Sequence, residues 1–142
     1  VNPEAAGNIR AAAAEDTVLG LMLLYEEHRR AVREGAVSLT ADDFVTAFNR
    51  RVFEAIMELE NSDGGFSTAV LGEQFDPDEM GRLAKLAQAR RNLSENGQSV
   101  LKAAVRTLQD EKNAVTKDDA PPEDSLERLL EKKRQKMHKS NG

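Results

Sequence analysis

The residues best able to do chemistry are scarce here and poorly placed for it. Two histidines, His28 and His138, stand far apart, and there is no cysteine. That excludes disulfides, thiolate-ligated zinc and a cysteine nucleophile. Glu26 and Glu27 adjoin His28, but neighbouring residues of a helix point in different directions. A helical di-metal site needs two Glu-x-x-His motifs and two further glutamates. Position 25 is Tyr25, so not even one such motif is present and no metal site is expected. His28 is the one histidine placed for phosphotransfer, and its acidic neighbours would repel phosphate. Gly64-Gly65 precedes Phe66 with no lysine following, so it reads as a turn and not a phosphate loop. The sequence holds no Walker-type loop, dinucleotide-binding fingerprint or Gly-x-Ser-x-Gly elbow. No catalytic residue and no cofactor are expected.

One segment is chemically distinct. Between Ser125 and Gly142 stand Arg128, Lys132, Lys133, Arg134, Lys136 and Lys139 against Glu127 and Glu131, a local charge of +4 in a chain of −5. Such a segment suits nucleic acid or an acidic protein surface, or is simply a solvated helix face. It has no aromatic residue for base stacking, and the overall acidity argues against direct nucleic-acid binding. No run approaches the ~20 apolar residues of a membrane span. No signal peptide is seen, and residues 1–8 read as a linker remnant.

The elements that carry these residues are helical. Hydrophobic residues make up 39% of the 142 and charged residues 32%, with Ala, Leu, Glu, Lys and Arg prominent. Ile9 to about Glu27 reads as one helix, apolar nearly all round from Val18 to Tyr25 and so central to a bundle. Gly20 within it implies close approach of another helix. A short helix from His28 ends at Gly35. Thr40 is an N-cap with Asp42 and Asp43 in the first turn. Leu39 and Phe44 are placed as a hydrophobic staple. The helix started there runs through Phe48, Val52, Phe53, Ile56 and Leu59. Asn61 to Gly65 is a turn and Ser67 to Gly72 a short helix. Asp76-Pro77-Asp78-Glu79 opens another, which fades near Arg91. A long helix spans about Gln98 to Val115. After a turn at Pro121-Pro122, a last helix runs from Asp124 or Ser125 to about Lys139, with Leu126, Leu129, Leu130 and Met137 as its apolar stripe. The fold expected is all-α: a bundle over 9–97, then a long helix and C-terminal hairpin over 98–142.

Three stretches resemble a known family. Ala14-Glu15-Asp16-Thr17-Val18-Leu19-Gly20-Leu21-Met22-Leu23-Leu24 is the first. Leu39-Thr40-Ala41-Asp42-Asp43-Phe44 with Asn49-Arg50-Arg51-Val52-Phe53-Glu54-Ala55-Ile56 is the second. Both are similar to a helical domain found at the C-terminus of the DnaG-type bacterial primase and at the N-terminus of the DnaB-type replicative helicase. The third stretch is Phe66-Ser67-Thr68-Ala69-Val70-Leu71, Phe75-Asp76-Pro77-Asp78-Glu79-Met80-Gly81-Arg82-Leu83 and Leu93-Ser94-Glu95-Asn96-Gly97-Gln98. It is similar to the primase version. The helicase version would lead through a linker into an ATPase domain, whereas this chain ends.

That resemblance implies a non-catalytic piece of a primase, the polymerase that makes RNA primers and a transferase as a whole. It would be cytoplasmic and monomeric when free. The implied partner is the hexameric replicative helicase, docked by about Lys102–Val115 and Asp124–Lys139, with Leu126, Arg128, Leu129, Leu130, Lys132, Lys133 and Met137 as contact residues. The alternative is the helicase N-terminal domain, a ring-forming module that self-associates through its helical hairpin.

Overall fold

A computed structural model describes the backbone of residues 3–118 and the side chains of residues 9–114. Among these the structure is all-helical and has no strand: α1 (Pro3–Leu24), α2 (Glu26–Arg33), α3 (Ala47–Glu60), α4 (Thr68–Leu71), α5 (Pro77–Arg91) and α6 (Gln98–Asp118). The expected turn at Pro121-Pro122, the last helix and its hairpin lie outside the described residues.

Helix α1 is the centre. Val18, Leu19, Leu21 and Met22 are consecutive apart from Gly20, and all are fully buried. A helix buried on every side needs partners all round. α3 supplies Val52, Phe53, Ile56 and Leu59, and α6 supplies Leu101, Ala104, Val105 and Leu108 to the same core. Each large side chain so buried contributes about 1.5–3 kcal/mol. This core lies within one compact unit, Val1–Glu111. At its edge Arg10 of α1 pairs with Glu111 of α6 at 2.8 Å.

Gly20 behaves as the sequence implies. A Cβ there would lie 2.6 Å from the Leu86 carbonyl oxygen and 2.7 Å from Arg90 Cγ. Helix α5 thus packs against α1 at a distance only glycine permits. The start of α5 is also as expected. Asp76 Oδ1 accepts from the Glu79 amide at 2.8 Å, and Glu79 Oε1 accepts from the Asp76 amide at 3.0 Å, a closed capping box with Pro77 at the first helical position. Gly35 follows the end of α2 at φ +81°.

Three helix boundaries differ from the sequence reading. Helix α1 begins at Pro3 and not at Ile9, so residues 3–8, expected as a linker remnant, are helical, with proline at the first helical position. The expected helix Ile9–Glu27 breaks at Tyr25, which is extended (φ −122°, ψ 120°). Arg29 explains the break: its Nη1 donates to the Met22 carbonyl at 2.6 Å, so a side chain takes a carbonyl at the end of α1. The helix expected to start at Thr40 is instead a single 3₁₀ turn, Ala41–Asp43, followed by extended chain before α3 begins at Ala47. The Asp43 carboxylate does accept from the Thr40 amide at 2.9 Å. The Val45 amide, however, donates to Glu15 Oε2 at 3.0 Å instead of continuing a helix.

Candidate functional site

The helices are tied to one another by polar residues, and these fix the surfaces between and around them. Among the described residues, no group of three or more histidine or acidic side chains could hold a metal ion. No helix there is long and apolar enough to cross a membrane.

Three polar centres tie the helices together. The first is Glu15, fully buried in α1. Besides the Val45 amide, its carboxylate accepts from Asn49 Nδ2 at 2.8 Å. A buried carboxylate is tolerated only when its lone pairs are filled, and Glu15 fills them from Val45 just before α3 and Asn49 in its first turn. Its neighbour Asp16 reaches the surface beside that buried carboxylate. Burial, and then the adjacent Glu15 carboxylate, raise the Asp16 pKa above its ordinary 3.8, while Arg82 pulls it partly back.

The second centre is Arg29, also buried. Besides the Met22 carbonyl, it reaches Glu60 Oε2 at 3.4 Å, and its guanidinium lies 4.0 Å above the Phe66 ring centre. Arg33 Nη1 donates to the other Glu60 oxygen at 3.2 Å. An open cleft of about 450 Å³ lies over this group, lined also by Glu26 and Asp63. Its two cations, Arg29 and Arg33, are both engaged by Glu60, so it offers no excess of positive charge to an anionic ligand.

The third centre organises the loop between α5 and α6. Asn96 Nδ2 donates to the Arg90 and Leu93 carbonyls at 2.9 and 2.8 Å, and Asn96 Oδ1 accepts from Arg90 Nε at 2.9 Å. His28 is only 1% exposed. Its Nε2–H donates to the Asn96 carbonyl at 2.6 Å, which requires the proton on Nε2, and its ring meets Tyr25 edge to face. The phosphotransfer possibility for His28 ends here, because a buried imidazole spent on a backbone carbonyl cannot meet a phosphoryl donor. Asn96 and Arg90 were not singled out from the sequence. A loop asparagine before a glycine marks only a turn, and its four hydrogen bonds reach three residues, Arg90, Leu93 and His28.

The residues expected to dock on a helicase, Leu126, Arg128, Leu129, Leu130, Lys132, Lys133 and Met137, lie outside the described residues, as does His138. Of the long-helix segment Lys102–Val115, Ala104, Val105 and Leu108 face the core, while Lys102, Ala103, Arg106 and Asp110 face solvent. Gln109 Nε2 donates to the Ser38 carbonyl at 2.9 Å and holds α6 to the segment after α2.

Comparison with known families corrects the reading made from resemblance. The family model described as "DnaB-like helicase N terminal domain" matches residues 8–115, well over half of the chain. No curated protein and no solved structure matches. The primase C-terminal assignment is therefore wrong, and with it the description of the chain as a primase fragment and transferase that docks on a helicase. The stretch that had favoured primase, Phe66 to Gln98, consists largely of helix punctuation. Ser67 caps α4, Asp76 and Glu79 close a capping box, and Asn96 staples a turn. Such residues are demanded by helix ends wherever this bundle occurs, so they separate its versions poorly. With the match extending from the first helix to the end of the long one, the chain belongs to the DnaB-like helicase N-terminal domain family.

Proposed function

We propose that this chain is the N-terminal module of a replicative helicase, a non-enzymatic piece that self-associates to help build the helicase ring and presents a face to the primase. The family match over residues 8–115 is the observation that carries this reading. The physics agrees with it. The buried polar groups of the body are spent on one another, as at Glu15, Arg29 and Asn96, which suits a scaffold for surfaces. Work at a bacterial replication fork would place it in the cytoplasm.

The sequence spacing of Leu126, Leu129, Leu130 and Met137 makes these the first candidates for self-association, flanked by Arg128, Lys132 and Lys133 as orienting charges. The test is light scattering of the purified chain over a rising concentration series, followed by titration with primase from the same organism. Self-association lost in Leu129→Asp with Leu130→Asp is expected, together with primase binding. A chain that stays monomeric throughout and ignores primase refutes the proposal.

A further inference from the structure

Side chains of α3, of α5 and of Phe75 just before α5 interleave as layers of cation and ring. Phe48 and Phe75 meet edge to face, with centroids 6.0 Å apart and planes at 73°. The Arg51 guanidinium lies 4.8 Å from the Phe75 centroid and 5.6 Å from that of Phe48. The Arg82 guanidinium lies 4.0 Å over the Phe48 ring.

The two arginines differ in what else holds them. Arg51 is hydrogen-bonded to Glu79. Arg82 has the ring beneath it, but among the described residues no carboxylate pairs with it and no acceptor takes its N–H groups. Asp16 is near enough for the charges to interact but is not bonded to it. Lys85, one turn further along α5, also has no carboxylate partner among the described residues. Residues 80–94 carry Arg82, Lys85, Arg90 and Arg91 and no acid, within a chain of net charge −5.

These observations describe a prepared anchor. A guanidinium stacked on a ring has already lost the rotamer freedom that binding usually costs, and its planar fork matches a carboxylate. We propose that Arg82, stacked on Phe48 with Lys85 one turn further along α5, anchors an acidic peptide segment of a partner protein, a carboxylate of that segment sitting on the Arg82 fork. Charge complementarity selects that occupant. Arg82 and Lys85 have no carboxylate partner among the described residues and so favour an acid, and the flat fork of one guanidinium fits a single carboxylate, whereas a polyphosphate chain needs a longer run of free cations than these two. This surface is independent of the self-association proposed above.

The test is fluorescence anisotropy on the full 142-residue chain with a labelled peptide of the repeat Glu-Glu-Leu, a Gln-Gln-Leu control and a single-stranded oligonucleotide. The acidic peptide alone should bind, more weakly as salt rises. Arg82→Ala should weaken it about tenfold, the worth of one charged hydrogen-bonded pair. Arg82→Lys, which keeps the charge and the helix but not the fork, should weaken it by a smaller factor. Asp16→Asn should tighten it, and Arg91→Ala, on the opposite face of α5, should leave it unchanged. Circular dichroism checks that each variant is folded. The proposal is overturned by absent peptide binding, by equal losses in Arg82→Ala and Arg91→Ala, by Arg82→Lys matching the unsubstituted chain, or by preference for the oligonucleotide.

Discussion

Gly20→Ala sets two effects of opposite sign against each other. In an open helix the exchange stabilises by about 1 kcal/mol, because alanine gives up less backbone entropy. At Gly20 the new methyl would lie 2.6 Å from the Leu86 oxygen, about 0.8 Å short of an ordinary 3.4 Å contact. That oxygen belongs to the backbone of α5 and cannot swing aside as a side chain does, so α5 must move as a body. Overpacking of this kind costs about 1–3 kcal/mol, and a backbone obstacle places it in the upper part of that range. The net expectation is a loss of about 1–2 kcal/mol, or a melting temperature lower by about 4–8 °C at roughly 4 °C per kcal/mol. Gly81→Ala is the control. Gly81 lies in α5 with nothing within 4 Å of an added Cβ, so only the helix term operates, and the melting temperature should rise by up to about 4 °C. Thermal melts followed by circular dichroism at 222 nm, a wavelength near the helical minimum of roughly 220 nm, decide the matter. If both variants melt above the parent chain, the close approach of α1 and α5 is not what glycine serves, and the reasoning fails.

Three further perturbations follow from the polar centres. Glu60→Ala leaves Arg29 buried with its counter-charge gone, so urea unfolding should show a loss of about 3 kcal/mol; a loss too small to resolve would mean that the Phe66 ring and the Met22 carbonyl suffice for Arg29. Asp16→Asn should stabilise the fold at neutral pH, because a carboxyl whose folded pKa is raised favours its protonated form in the folded state. That gain should shrink as pH falls through the raised value and vanish below 3.8, the ordinary value that the unfolded chain retains; a gain independent of pH would exclude titration of Asp16 as its source. Asn96→Ala removes three side-chain hydrogen bonds while sparing the backbone carbonyl that His28 grips. Amide hydrogen exchange should quicken over residues 92–97 and stay near parental in α3, and uniform acceleration would show that the loop is not an independent unit.

Much of this bundle is readable along the chain because helix ends are local chemistry. Asp76, Pro77 and Glu79 satisfy one another's backbone within four residues, and the start of α5 is where they put it. The all-round apolar run Val18–Met22 announces a central helix, and a glycine inside it announces the neighbour that presses there. The readings that failed involve partners far away in the chain. Thr40 has every mark of a helix start, yet the Val45 amide is taken by Glu15, thirty residues earlier, and α3 begins only at Ala47. The break at Tyr25 rests on Arg29 turning back to the end of α1, and Arg29 is held from the far side by Glu60. Arg82 on Phe48 and His28 on Asn96 were likewise invisible as pairs.

The same division explains the mistaken family member. The stretches quoted for the resemblance carry the fold shared by both domains, and the punctuation used to choose between them is set by helix termini. The sequence by itself determined the helices, their caps and the centre of the core, since each depends on residues within a turn or two of one another. Only the tertiary structure decided where α1 and α3 stop and start and which arginine stands stacked on a ring with no carboxylate bonded to it among the described residues. Those outcomes depend on hydrogen bonds and ring contacts between segments that only folding brings together.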